Sequence, residues 1–322
     1  MTRESEKEKN VDYFDCHADT LTEIPSTENL WENNVNLDLK RVHTFAGKHI
    51  QVFALWRDRQ QMKAPIEQEF RQLHARAMEL LQAQKEKVRL CRTALDMKEA
   101  LAQGKTAAFL SIEDCSIMGN LVEQIEDYQI SFALLTWNYE NEYGVGAVQD
   151  QGGGLTDAGR TLVKTLCRKN IILDISHLSD AGVEEVFRLT DRAVIASHSN
   201  VRAVCEHARN LSRQGIQEII RRGGLIGMNF YAPFVAADHA GIEDLLRHMD
   251  AILAMGGEDV LALGTDFDGS SNHFPEGICG VESVPKLREE MLRAGFGEEL
   301  TEKILFANGY HFIERNLSYK IR

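Results

Sequence analysis

The chain has 322 residues, 43% hydrophobic and 26% charged, an ordinary soluble composition and a length typical of one (β/α)8 barrel with insertions. No apolar run approaches the ~18 residues of a membrane span. A formal net charge of −13 leaves no basic face for phosphates, so membrane and nucleic acid are both excluded as expected partners.

Residues 1–10 are charged and lack the apolar segment of a signal peptide, so they are expected to form a flexible tail on a cytoplasmic protein. Residues 11–322 read as a single domain, because no repeat, low-complexity tract or linker divides them. Eight short apolar or β-rich runs then alternate with helix-like stretches: 13–17, 50–56, 107–112, 132–137, 171–175, 193–197, 225–229 and 260–264. The first run ends in His17-Ala18-Asp19, and residues two apart on a strand point the same way, so an imidazole and a carboxylate converge. After the second run, Ile66, Phe70, Leu73, Ala77, Leu80 and Leu81 form the apolar stripe of an amphipathic helix. The third run ends in Glu113-Asp114. The fourth opens into a loop, 138–155, whose five glycines and length suggest a pocket wall. A helix through Leu162, Val163, Leu166 and Cys167 follows, with Thr156 or Asp157 as its cap. The fifth run leads to His177, the sixth to His198, and the eighth to Asp266-Phe267-Asp268-Gly269.

Eight alternating units predict an α/β fold, a (β/α)8 TIM barrel, in which all strand carboxyl ends share one face. That face would hold His17, Asp19, Glu113, His177, His198 and Asp266. A lone histidine at a strand end is ordinarily a hydrogen-bonded core group. Three imidazoles and three carboxylates gathered there without a cation would bury charges at several kcal/mol each, whereas a metal pair with one bridging carboxylate satisfies them. Arg209 suits an anionic group of the substrate. Asp268 reads as a residue that bonds the turn at Gly269, and His43, His49, His74, His239, His248, His273 and His311 read as structural or solvent-facing. The six cysteines lack any C-x-x-C pairing and are expected to be reduced thiols.

The segments DCHADT, SIED, GLTDAGRTLVKTLCRKNIILDISH, ASHSN, Arg209-Asn210, GMNFY, GTDFDG and NGYHFIER span residues 15–315. With them the chain resembles the renal or membrane dipeptidase family of zinc peptidases, as a member without signal peptide or membrane anchor. The resemblance implies two zinc ions per chain, with His17 and Asp19 on the first, His177 and His198 on the second, and Glu113 bridging. It implies a proton-shuttle role for Asp266, a substrate-carboxylate role for Arg209, and a place near that carboxylate for Tyr231.

One position departs from the family. Many members carry a histidine after the fourth strand in a Thr-His-x-x-x-Asn setting, and here the segment reads Thr136-Trp137-Asn138-Tyr139-Glu140-Asn141. Trp137 or Asn138 stands near its place and is taken as substrate-binding. The expected activity is hydrolysis of L,L and L,D dipeptides by a hydroxide shared between the zincs. The rival readings are a binuclear amidohydrolase opening a cyclic amide, lactam or lactone, and a metal-binding scaffold with a decayed site. The expected partner is a small dipeptide, and a homodimer is compatible with the sequence.

Overall fold

Eight parallel strands close on themselves in the order β1 (Tyr13–Ala18), β2 (His49–Leu55), β4 (Thr106–Ile112), β5 (Ile130–Leu134), β6 (Ile172–Asp174), β7 (Ile195–Ala196), β8 (Leu225–Met228) and β9 (Leu261–Leu263), with β9 returning to β1. The computed structural model describes residues 11–149 and 152–317. The tail expected at 1–10 lies outside the described residues. Each of the eight predicted runs supplies one barrel strand. A ninth strand, β3 (Val88–Leu90), pairs with the start of β4 through Val88 opposite Thr106. The sequence reading missed it because only Val88 of its three residues is buried, which leaves no apolar run to detect.

Strand alternation divides the core in two. One apolar cluster draws residues from every barrel strand, among them Phe14, Ile50, Phe109, Phe132, Ile172 and Ile195, and so fills the lumen. Neighbouring positions such as Phe53, Leu173 and Ile226 face the other way, toward helix residues Phe70, Leu166 and Ile219. The predicted stripe lies on helix Ile66–Ala83, where Phe70, Ala77, Leu80 and Leu81 are buried and Leu73 packs at the edge. Of the two proposed caps for helix Asp157–Arg168, Thr156 is the one used: its side chain accepts from the Gly159 amide. Among the described residues no helix is long and apolar enough to cross a membrane.

The strands are mostly shorter than the apolar runs that foretold them, because their last residues turn out of the ladder into the strand-end face. His177 and Asp266, two residues beyond the fifth and eighth runs, adopt φ of 67° and 59°, left-handed conformations that cost a non-glycine residue of order 1–3 kcal/mol. In β1 the pairing register with β2 shifts between Asp15 and Ala18, beside His17. Asp15 secures that irregularity: its carboxylate accepts from the Tyr13 hydroxyl, the Thr265 amide and hydroxyl, and the His17 amide.

Candidate metal centre and active site

Five of the six predicted residues meet around one carboxylate. Oε2 of Glu113 lies 3.3 Å from Nε2 of His17, which is itself 3.5 Å from Oδ2 of Asp19. Oε1 of Glu113 lies 2.9 Å from Nε2 of His177 and 3.8 Å from Nε2 of His198. The nearest donors thus divide between the two oxygens of one side chain, while His17, Glu113 and His198 also have donor atoms within 4.8 Å of one another. All five side chains are buried. The sixth, Asp266, is half-buried and forms a potential ligand group with His17 and Asp19, all donor atoms within 4.8 Å of one another. Gly269 allows this approach, since a Cβ there would fall 2.2 Å from Oδ2 of Asp19 and 2.4 Å from Oδ1 of Asp266.

The donor set fits divalent metals. Nε2 of His17 and Oδ1 of Asp19 are buried with no hydrogen-bond partner, and Nε2 of His177 and of His198 face each other at 2.7 Å. Two imidazole nitrogens aimed at one point, with a carboxylate oxygen beside them, match the ligand chemistry of zinc. The opposite ring nitrogens meet oxygen atoms: Nδ1 of His177 is 2.8 Å from Oδ1 of Asn138, and Nδ1 of His198 is 2.8 Å from Oγ of Ser197. An oxygen acceptor at Nδ1 keeps the proton there and leaves the Nε2 lone pair for a metal.

Without a cation the cluster balances its charge with protons. Burial alone would discharge His17, but Glu113 and Asp19 beside it hold its pKa well above the ordinary value. Burial raises Glu113, and the facing imidazoles of His17 and His177 outweigh it, so that carboxylate stays far below the usual range. Burial, then the Arg209 charge, lowers His177 to about 3, and burial, with the His17 charge, lowers His198 well below its ordinary value. Asp266 is pushed up to about 6 by burial, with Glu113 adding to the rise.

A cavity of about 400 Å³ opens onto the cluster. Its walls include Trp56, Trp137, Asn138, Tyr231, Phe234 and Glu23, along with Asp19, Glu113, His177 and Asp266. Arg209 is not in the wall. It is 3% exposed and lies behind Phe234, its Cζ 5.5 Å from that ring. Its guanidinium is poorly satisfied, with Nη1 3.4 Å from Oγ of Ser199, Nη2 3.3 Å from the His198 carbonyl, and Nε without a partner.

The whole-chain comparison decides the family: residues 1–317 match the one described as membrane dipeptidase, peptidase family M19. The chain belongs to the membrane dipeptidase family. Its members are metallopeptidases that hydrolyse peptide bonds. A dipeptidase of Aspergillus oryzae (strain ATCC 42149 / RIB 40), aclJ, is 31% identical over 200 residues, 60% of this chain and 47% of that one, so the match spans about half of that relative. The solved structure of dipeptidase AC, a metallopeptidase of family M19, superposes with a TM-score of 0.84 at 26% identity, covering 97% of this chain and all of that one. A metallopeptidase from Rhodobacter sphaeroides, solved with a phosphinate mimic of the dipeptide L-Ala-D-Ala, gives 0.84 at 27% identity over 96% of this chain and all of that one.

Within this dipeptidase chain, Trp137, in the segment that departs from the family pattern, lines the cavity. Its ring stacks on His177 at 6.1 Å between centroids and leans on Trp56 at 4.9 Å, forming an aromatic wall. Asn138 does line the cavity, but its Oδ1 is engaged by His177. Contrary to the sequence expectation, Asp268 does not bond the turn at Gly269, whose amide donates to the Asp266 carbonyl. It accepts from the Thr20 hydroxyl and the Asn36 amide, both at 2.5 Å, tying the loop before helix Leu39–Phe45 to the rim. The sequence reading also passed over Trp56, Phe234, Ser197 and Asn229. Asn229 donates to Oδ2 of Asp266 at 3.1 Å, and the segments GMNFY and ASHSN held the signal for it and for Ser197.

Proposed function

We propose that the protein hydrolyses L,L and L,D dipeptides with two zinc ions, the first held by His17 and Asp19, the second by His177 and His198, and both bridged by Glu113. The observation that carries this reading is the division of Glu113, whose two oxygens address separate groups of buried donors. When bound, the zinc pair would supply a hydroxide nucleophile at neutral pH and polarise the scissile carbonyl, because coordination brings the pKa of water down to about 7.

The chain's own groups do the rest. Asp266 takes the proton of the attacking water and returns it to the leaving amine, a task suited to a carboxyl that burial holds near 6. Asn229 donates to its Oδ2 and orients it. The substrate's C-terminal carboxylate belongs at the Tyr231 and Phe234 end of the cavity, next to the incompletely bonded Arg209 charge. Trp137 and Trp56 offer an apolar wall to a substrate side chain, so Trp137 substitutes packing for the hydrogen bond of the missing histidine. Residues 11–322 act as one catalytic domain.

The test is a screen of L,L and L,D dipeptides against zinc-loaded protein, with N-blocked and C-amidated versions as controls. Free dipeptides should turn over and amidated ones should lose most of their rate. Zinc-loaded protein that cleaves no dipeptide overturns the reading. Equal rates on free and amidated substrates remove Arg209 from it and favour a neutral cyclic amide or lactone.

A further inference from the structure

One hydroxyl lies between the two halves of the cluster. Ser197 follows β7, and its Oγ is 2.8 Å from Nδ1 of His198 and 3.5 Å from Nδ1 of His17. His198 belongs to the donor group at Oε1 of Glu113, and His17 to the group at Oε2. The serine hydroxyl therefore lies against an imidazole on each side of the bridging carboxylate. It is held firmly. Its amide donates to Oδ1 of Asp174 at 3.1 Å, and its carbonyl is packed against Gly227 and Gly264, where any Cβ would fall within 1.9 Å and 1.7 Å of that oxygen.

Counting protons fixes the direction of each bond. A histidine that gives Nε2 to a metal must carry its proton on Nδ1, so both imidazoles are donors toward Ser197. A hydroxyl oxygen has two lone pairs and one proton. With both lone pairs taken, that proton must go to a third group. Two are near: Oγ of Ser176 at 3.5 Å, which already accepts the His198 amide, and the Asp174 carboxylate, whose Oδ1 accepts two backbone amides, one of them from Ser197 itself, whose charge the Ser197 side chain favours, and whose buried Oδ2 makes no hydrogen bond within 3.5 Å. The bare carboxylate oxygen is the stronger acceptor.

We propose that Ser197 is a positioning residue shared by both metal sites, accepting from His17 and His198 and donating to Asp174, so that one hydroxyl fixes the tautomer of a ligand in each site. This rests on the two-metal reading of the cluster. The consequence is specific. Removing a group that orients a single ligand weakens a single site, whereas removing Ser197 weakens both.

Zinc dissociation constants, measured by chelator competition in wild type and in Asp19→Ala and His177→Ala backgrounds that disable one half at a time, test this without reference to catalysis. Ser197→Ala should raise both constants, each by roughly the 10- to 100-fold typical of a lost outer contact. Asp174→Asn should act in the same direction, because an amide nitrogen in place of Oδ2 offers a donor where an acceptor is needed. It carries the test alone if Ser197→Ala fails to fold. The double variant should be no worse than Ser197→Ala. An unchanged constant at the His17 site, or losses that simply add in the double variant, overturns the proposal. Wild type that binds fewer than two zincs removes the two-metal reading and this inference with it. Shifted constants in a protein that cleaves no dipeptide leave this inference standing and remove only the substrate assignment.

Discussion

Glu113 owes its role to its neighbours more than to its own chemistry. Buried beside imidazoles of His17 and His177, it remains ionised where burial alone would neutralise it, and the same pairing keeps a proton on His17 until a metal displaces it. For Asp266 the nearby His17 charge lowers the pKa but does not offset burial, to which Glu113 adds, and this leaves its carboxyl near 6 and fit for proton transfer. Asp266→Asn is therefore expected to keep zinc and fold while losing roughly 10² to 10⁴ in kcat. Zinc loss from that variant would instead make Asp266 a ligand, in keeping with its closeness to His17 and Asp19. Asn138→Ala should behave differently, because Oδ1 of Asn138 is bonded to Nδ1 of His177: zinc affinity should fall about 10- to 100-fold, with kcat at saturating zinc reduced far less than in Asp266→Asn. Paired metal titrations and rates separate the two. The proposed ligands could be picked out in the sequence because His, Asp and Glu carry metal chemistry in their residue type and the barrel gathers strand ends. Ser197, Asn138 and Asn229 were not legible in their present roles, since a hydroxyl or amide acquires a role only once the orientation of its histidine or carboxylate partner is known.

The loop after β5 shows the same limit one level up. Length and glycines marked residues 138–155 as a pocket wall; among the described residues of that range Asn138 alone lines the cavity, next to Trp137, and the reason for one glycine appears only in the fold. A Cβ on Gly146 would fall 2.3 Å from the Trp137 carbonyl oxygen and 2.4 Å from the Asn138 carbonyl carbon. Both are backbone atoms, so no side-chain rotation relieves the contact. The next residue, Ala147, donates its amide to the His177 carbonyl at 2.6 Å, which ties the loop to the segment bearing a ligand. Gly146→Ala should therefore cost about 1–3 kcal/mol of stability, the usual range for overpacking, and should also displace Asn138 from His177. A lowered denaturant midpoint together with weaker zinc binding at the His177 and His198 side is the expected result. A stable variant with normal zinc affinity would show that the loop accommodates the methyl by moving as a whole. Strand β3 makes the complementary point, because a three-residue strand with one buried side chain is specified by its partner β4 and not by its own pattern.

At the scale of the whole molecule, the strand-end face concentrates carboxylates and imidazoles with which, among the described residues, no lysine or arginine forms an ion pair, and this couples metal, proton and fold. In the metal-free chain the pKa of His17 is raised above its ordinary 6.5, so its contribution to stability is fully present below about 6.5 and is lost as pH rises through the folded value. In the zinc-loaded chain the same nitrogen must be unprotonated, so the sign reverses: binding expels the proton, and zinc affinity grows with pH until the metal-free His17 would have lost it unaided. Asp19, raised by burial and by Glu113, acts in the same sense. Free zinc at about a hundred times the dissociation constant stabilises the fold by about 2.7 kcal/mol per site, and that margin must shrink in acid as protons compete for the ligands. The gap in Tm between zinc-loaded and metal-stripped protein should therefore widen from pH 5 toward neutrality. Calorimetric titrations near neutral pH, run in buffers of different ionisation enthalpy, should register net proton release on zinc binding. Proton uptake, or a Tm gap that narrows as pH rises, would mean that His17 is already neutral in the metal-free protein and that Glu113 draws its compensating charge from elsewhere.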